Sequence, residues 1–149
     1  MESVNLEVIC NNKPEKVELI HSEKQASIRA ILSDGNTFTG TGADIFSSFL
    51  NLREKLPGYI FQCKGAKINV HPSRMSSQMG GGLIAYELSM GHPAKRSDLV
   101  NIFTPDTVKD DVLPAEQREF FKRWIQSLSD ASCSASNEPH CPGSKPSKG

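Results

Sequence analysis

The sequence lacks the long hydrophobic runs that would place it in a membrane. None of its apolar stretches approaches the roughly 20 residues that a membrane-spanning helix needs. Its first residues, MESVNLEVICNNKPEK, carry an early glutamate and no apolar core of the kind found in signal peptides. We therefore expect a cytoplasmic protein without a membrane segment.

Cysteine is scarce, and none of the spacings between cysteines is typical of a zinc site. The chain has no CxxC pair among its four cysteines, Cys10, Cys63, Cys133 and Cys141. A site built on His71 and His92 would lack a third ligand at useful spacing. Cys10 and Cys63 fall in apolar strand patterns, which is typical of reduced core cysteines and again favours the cytoplasm. We expect no metal ion and no cofactor.

The chain also lacks net charge, although its charges are unevenly distributed. It has 17 basic and 17 acidic residues, and such neutrality argues against a dedicated nucleic-acid binder. Between residues 64 and 96, however, Glu87 is the only acidic residue beside five basic ones, Lys64, Lys67, Arg74, Lys95 and Arg96. Such a segment could face an acidic partner or nucleic acid, or be a solvated surface, and with a neutral chain we expect a protein partner with an acidic surface.

The apolar pattern predicts a single α+β domain over residues 1–128, with a mainly antiparallel sheet and two amphipathic helices packed on it. Alternation predicts strands at 5–10, 17–21, 27–32 and 37–39, and apolar runs predict strands at 59–63 and 83–88 and a short strand or helical turn at 99–103. Asp34-Gly35 predicts a tight hairpin turn, because both residues tolerate positive φ. Residues 129–149, rich in Ser, Pro, Gly, Lys and Asn, are expected to be a disordered tail.

The two predicted helices each have one apolar face. The first spans residues 44–56 and ends before Pro57-Gly58, and its polar face includes Arg53 and Lys55. The second begins at Pro114, and its expected buried face comprises Phe120, Phe121, Trp124, Ile125 and Leu128. We expect Trp124 to anchor the core.

Two polar segments are the candidate binding loops. Residues 65–82 form a long irregular connection, and residues 92–98 form a second polar loop. The three glycines that close the first loop favour a structural bend over a ligand cradle, because phosphate cradles follow a strand and precede a helix. The expected binding residues are His71, Arg74, Gln78, Gly80, Gly81, Gly82, Lys95 and Arg96.

No complete catalytic signature is present, so we assign no catalytic residue. Ser73, His71 and Asp98 could be assembled into a nucleophilic site, as could Cys63 with His71, but neither set has the spacing context of a known motif. The leading hypothesis is a protein-binding module that uses the two loops. The alternatives are a small hydrolase or transferase whose pocket is formed by the 67–82 and 92–98 loops, and a nucleotide- or nucleic-acid-binding domain.

Part of the chain resembles a group of small bacterial single-domain proteins that have no settled activity. The similar segments are YIFQCKGA at 59–66, VHPSRM at 70–75, QMGGG at 78–82, AYEL at 85–88 and DLVNIF at 98–103. The helix start Glu116-Gln117-Arg118 is similar too. Small bacterial proteins of this kind often look like antitoxin or immunity partners, so the resemblance implies an immunity-type inhibitor that binds a bacterial toxin.

Overall fold

The computed structural model describes residues 2–22 and 24–136. It confirms the predicted α+β fold, and within these ranges it has eight strands and three α-helices. The strands are β1 (Glu2–Cys10), β2 (Lys13–Ser22), β3 (Ser27–Ile31), β4 (Thr37–Thr41), β5 (Tyr59–Phe61), β6 (Val70–His71), β7 (Ile84–Glu87) and β8 (Leu99–Asn101). The helices are α1 (Ile45–Glu54), α2 (Arg74–Gly80) and α3 (Pro114–Ser136).

The strands form two antiparallel sheets. The larger sheet has the order β4-β3-β2-β1-β5 and the smaller one has the order β6-β7-β8. Asn11 and Asn12 connect β1 to β2 in a two-residue turn with φ values of 53° and 63°, which asparagine tolerates better than most residues. In the β3–β4 hairpin only Gly35 has positive φ, while the Asp34 carboxylate accepts a hydrogen bond from the Asn36 backbone N–H.

Helix α1 covers the larger sheet and supplies much of the core. Asp44 caps its first turn, because one carboxylate oxygen accepts a hydrogen bond of 2.7 Å from the Ser47 N–H. Phe46, Phe49 and Leu52 are buried beneath the helix, and the Phe49 ring meets Phe61 of β5 edge-on at 5.3 Å. The helical spacing of these residues made α1 predictable from the sequence.

Helix α3 begins at Pro114 as predicted but ends later than expected. Residues 129–136, which the sequence placed in the tail, continue the helix. They contain neither proline nor glycine, so the sequence offers no helix breaker there. Residues 137–149 lie outside the described residues, and the predicted disorder of that part of the tail stays a prediction. No helix in the described ranges is long and apolar enough to cross a membrane.

Candidate functional site

A small pocket lies where the three-stranded sheet meets α3 and the segment that follows β7. Its volume is about 270 Å³. The lining side chains are largely apolar or aromatic: His71, Ser73, Tyr86, Leu88, Pro93, Ala94, Phe121, Trp124 and Leu128. The sheet provides the floor, α3 one wall, and Pro93-Ala94 the other. We refer to this cavity as the aromatic pocket.

The register of the small sheet determines which side chains face the aromatic pocket. Tyr86 of β7 lies directly opposite His71 of β6 on one side and Leu99 of β8 on the other. Because directly opposite residues of antiparallel strands share a face, these three side chains form one row across the sheet. Leu99 is 38% exposed, so the apolar row continues beyond the pocket to the edge strand.

His71 is held by a stack of rings that joins the sheet to α3. Its imidazole lies parallel to the Phe121 ring at 3.8 Å and meets Phe46 edge-on at 5.0 Å. Its Nδ1 lies 2.8 Å from the Pro72 carbonyl oxygen, which can only accept, so Nδ1 carries the proton in the neutral ring and Nε2 does not. Burial lowers the pKa of His71, which keeps the ring neutral at pH 7.

Trp124, on the α3 wall of the aromatic pocket, helps to hold the opposite wall formed by Pro93 and Ala94. Its indole N–H donates to the His92 carbonyl oxygen at 3.0 Å, and the Gly91 N–H donates to the Ser127 hydroxyl at 2.8 Å. Both bonds tie the segment after β7 to α3. The prediction that Trp124 anchors the core was wrong, because its side chain is only partly buried. Ile125, expected on the same buried face, is 50% exposed.

The predicted binding residues fall into three groups: His71, the exposed residues of α2 and of the segment after β7, and the three glycines. Arg74 and Gln78 are exposed on α2, a helix where the sequence predicted only irregular loop. Lys95 and Arg96 are also exposed. Arg74 directly follows the lining residue Ser73, and Lys95 directly follows the lining residue Ala94. His71 is the only predicted binding residue that lines the pocket itself.

The glycines form the third group, in which Gly81 and Gly82 pack against the start of α1, away from the lining of the aromatic pocket. Gly80 ends α2, and Gly81 and Gly82 have φ values of 64° and 82°. A Cβ on Gly82 would lie 2.7 Å from the Asp44 carboxylate, and the Ile45 N–H donates to the Gly81 carbonyl at 2.7 Å. The same carboxylate accepts a hydrogen bond from the Ser77 hydroxyl of α2. This geometry fits the structural bend that the sequence favoured.

Two of the five basic residues counted in the sequence form internal ion pairs. Lys64 and Lys67 each contact Glu87 and Asp106, at distances between 2.9 and 3.4 Å. Hydrogen bonds from the two lysines lower the pKa of Asp106 to about 2. Asp106 lies outside the segment in which the basic excess was counted. The cations of that segment that are exposed are therefore Arg74, Lys95 and Arg96.

A buried polar cluster behind the aromatic pocket was missed by sequence reasoning. Arg53, predicted on the polar face of α1, is only 7% exposed, and Gln117 of α3 is fully buried. Arg53 donates to the Gln117 side-chain oxygen at 2.6 Å, and the Gln117 amide donates to the carbonyls of Gly65 and Val70 at 2.8 and 2.9 Å. Burial lowers the pKa of Arg53 to about 10, so it remains charged.

The possible catalytic sets are only partly brought together. His71 and Ser73 line the same pocket, whereas Asp98 does not line it and instead accepts a hydrogen bond from the Lys95 N–H at 2.9 Å. Burial raises the pKa of Cys63 to about 12, which leaves its thiol protonated and a poor nucleophile. Among the described residues no group of His, Cys, Asp and Glu side chains could hold a metal ion.

No protein-family model matches this chain. No curated protein is a significant match either.

Proposed function

We propose that this protein is a binding module for a protein partner with an acidic surface. One observation carries the proposal: three exposed cations, Arg74, Lys95 and Arg96, adjoin a small apolar pocket. Exposed charges of one sign around an apolar centre are a common arrangement at protein interfaces, where the charges steer association and the centre supplies binding energy. Cys10 and Cys63 are free thiols, which supports the proposal that the module works in the reducing cytoplasm.

The more specific role of an immunity-type inhibitor of a bacterial toxin is also a proposal, and it is supported by the sequence resemblance alone. A bound inhibitor of this kind would place its cations against an acidic surface of the toxin. We call Arg74, Lys95 and Arg96 the cationic rim of the aromatic pocket. If the partner is a toxin, coexpression of this protein should restore the growth of cells that produce the toxin. A variant with the charges of the cationic rim reversed should not.

The binding proposal can be tested by comparing two charge reversals of equal size. Arg96→Glu changes a rim cation, whereas Lys13→Glu changes an exposed lysine at the start of β2. Proteins captured by the immobilised wild-type chain from a lysate of the source cells would be identified by mass spectrometry and purified. Calorimetry would then measure the affinity of each variant for the purified partner at low and high salt.

The expected result is a loss of affinity of roughly tenfold for Arg96→Glu and little change for Lys13→Glu, with weaker binding at high salt. Circular dichroism would check that both variants remain folded. If Arg96→Glu binds as tightly as the wild type and salt has no effect, the cationic rim is not an interface.

A second candidate function is hydrolysis or group transfer, which one observation supports. His71 and Ser73 line the same pocket, and the Nδ1–H of His71 leaves Nε2 as the basic nitrogen. Activated acyl esters would test this candidate, because a nucleophilic Ser73 would release their leaving group. The enzyme hypothesis predicts turnover that Ser73→Ala abolishes, while partner binding survives. Turnover equal to that of the buffer would exclude esters of this class.

A further inference from the structure

We propose that the aromatic pocket receives one aromatic or branched apolar side chain from an acidic segment of the partner. This inference rests on the proposed function and adds the chemistry of the partner's central contact. It assigns three roles: the pocket as anchor site, Lys95 and Arg96 as contacts for flanking carboxylates, and the exposed Leu99 as a contact for the apolar part of the segment.

The size and lining of the aromatic pocket favour a single side chain. Its volume of about 270 Å³ lies just below the range of roughly 300 to 1,000 Å³ typical of small-molecule sites. Tyr86, Phe121 and Trp124 present ring surfaces to it, with Leu88 and Leu128 between them. Interfaces concentrate binding energy where a bulky anchor fills such a pocket and excludes water.

The chain order places positive charge between the two apolar contacts. Pro93 and Ala94 line the aromatic pocket, Lys95 and Arg96 follow, and Leu99 begins β8 in the same row as Tyr86. A segment that inserts a side chain beside Ala94 and continues toward Leu99 therefore passes the two exposed cations. Acidic residues next to the anchor would meet complementary charge there, whereas basic residues would be repelled.

Trp124 makes occupancy of the pocket directly measurable. It is the only tryptophan of the chain and it lines the cavity, so its fluorescence reports on a ligand that enters. The probes are blocked peptides of the sequence Glu-Asp-X-Glu-Asp in which X is Phe, Leu or Ala. A fourth peptide carries Phe between lysines. None of the four contains tryptophan, so the tryptophan fluorescence, excited where tyrosine does not absorb, comes from Trp124 alone.

We expect the acidic Phe and Leu peptides to bind at least about tenfold more tightly than the acidic Ala peptide, since burying a large apolar side chain contributes that much. The Phe peptide should also change the fluorescence of Trp124 at saturation. The Lys-flanked Phe peptide should bind more weakly than its acidic counterpart, and the difference should shrink as salt is added.

A pocket-filling variant supplies an independent test. Ala94→Phe places a ring at the mouth of the cavity, and Ala115→Phe adds the same ring at an exposed position of α3. We expect Ala94→Phe to lose the preference for Phe over Ala and Ala115→Phe to keep it, with both variants folded by circular dichroism. If Ala94→Phe fails to fold, the peptide series on the wild-type chain decides the question alone.

The failure of the anchor can be distinguished from the failure of the proposed function. If the acidic peptides bind equally whatever X is, and salt weakens them, the anchor is wrong and the cationic interface stands. If Phe binds equally between acidic and basic flanks, the anchor stands and the acidic partner is wrong. Binding of none of the peptides at millimolar concentration overturns the anchor, as does an Ala94→Phe variant that still prefers Phe.

Discussion

Arg53 and Gln117 join α1 to α3 through one buried chain of hydrogen bonds. Arg53 donates hydrogen bonds to the Gln117 side-chain oxygen and to the Val112 carbonyl, both at 2.6 Å. The Gln117 amide nitrogen in turn donates to the carbonyl oxygens of Gly65 and Val70. These four hydrogen bonds pair the Gln117 amide and both terminal nitrogens of Arg53, which offsets part of the cost of burying the two side chains. Helical periodicity alone assigns Arg and Gln to the exposed face of a helix. Their burial could not be predicted here, because their hydrogen-bond partners lie about 50 to 65 positions away in the sequence.

We predict that Gln117→Ala lowers the free energy of unfolding by about 3 kcal/mol or more. The substitution removes three hydrogen bonds, leaves one nitrogen of the buried Arg53 unpaired and opens a cavity. The matched control is Gln126→Ala, which changes an exposed glutamine of the same helix and should cost at most about 0.5 kcal/mol. Urea denaturation measures both variants, and equal costs would show that the buried chain of hydrogen bonds adds little.

His71 should make stability depend on pH near neutrality. Burial lowers its pKa in the folded chain, whereas the unfolded chain titrates near 6.5. As the pH falls below about 7, His71 therefore takes up a proton more readily in the unfolded chain than in the folded one. The stability that this histidine contributes above pH 6.5 is then lost progressively. Burial has the largest effect on the pKa of His71; the hydrogen bond with the Pro72 carbonyl and then the charge of Asp44 oppose it, and Arg118 adds to it.

We predict that the thermal midpoint of the wild type falls between about pH 7 and pH 5, and that His71→Phe reduces this slope. Phenylalanine retains a ring that can stack on Phe121 but cannot titrate. The control His92→Gln removes an exposed histidine and should leave the slope in place. Scanning calorimetry across this range gives the answer, and identical slopes for the wild type and His71→Phe would rule out His71 as their source.

At the scale of elements, local chemistry explains which parts of the fold could be predicted. The β1–β2 and β3–β4 hairpins and α1 follow from turn residues, alternation and helical spacing within short windows of sequence. Residues 65–82 were predicted as a loop, yet they contain β6 and α2. Strand β6 exists through its pairing with β7, and α2 contacts the cap of α1 through Ser77 and Asp44. Elements this short carry no period, and their partners are distant in sequence.

The glycines at the end of α2 allow the close approach between these elements to be measured. Gly82 has a φ of 82°, and an added Cβ there would lie 2.7 Å from the Asp44 carboxylate. Gly58 has a similar φ of 86°, but an added Cβ would have no atom within 4 Å. We predict that Gly58→Ala costs about 1 to 2 kcal/mol from backbone strain alone. Gly82→Ala should cost about 1 to 3 kcal/mol more, because the methyl group also strikes the Asp44 cap. Equal denaturation midpoints for the two variants would mean that the cap moves aside freely.

At the scale of the whole molecule, the candidate site depends on contacts that no short window contains. The sequence drew attention to His71 and to the segments that carry Arg74, Lys95 and Arg96, since polar loops on a rigid scaffold often bind ligands, and their role in binding stays a prediction. It placed Phe121 and Trp124 on the buried face of α3, and only the meeting of α3 with the small sheet turns these rings into walls of a pocket. The same distant contacts divide the basic residues: Lys64 and Lys67 meet Asp106 about 40 positions away, whereas Arg74 stays exposed.

This division of charge predicts opposite outcomes for two charge reversals within the same segment. Lys67→Glu would place a third carboxylate beside Glu87 and Asp106 with only Lys64 to balance them, so we expect the free energy of unfolding to fall by about 1 kcal/mol or more. Arg74→Glu changes an exposed side chain and should alter stability by at most about 0.5 kcal/mol while weakening partner binding. The cost of Lys67→Glu should shrink at high salt, because partly exposed charges are screened. Urea denaturation of both variants at low and high salt measures the difference. If Lys67→Glu is as stable as Arg74→Glu at low salt, Lys67 belongs to the solvated surface and again becomes a candidate for the interface.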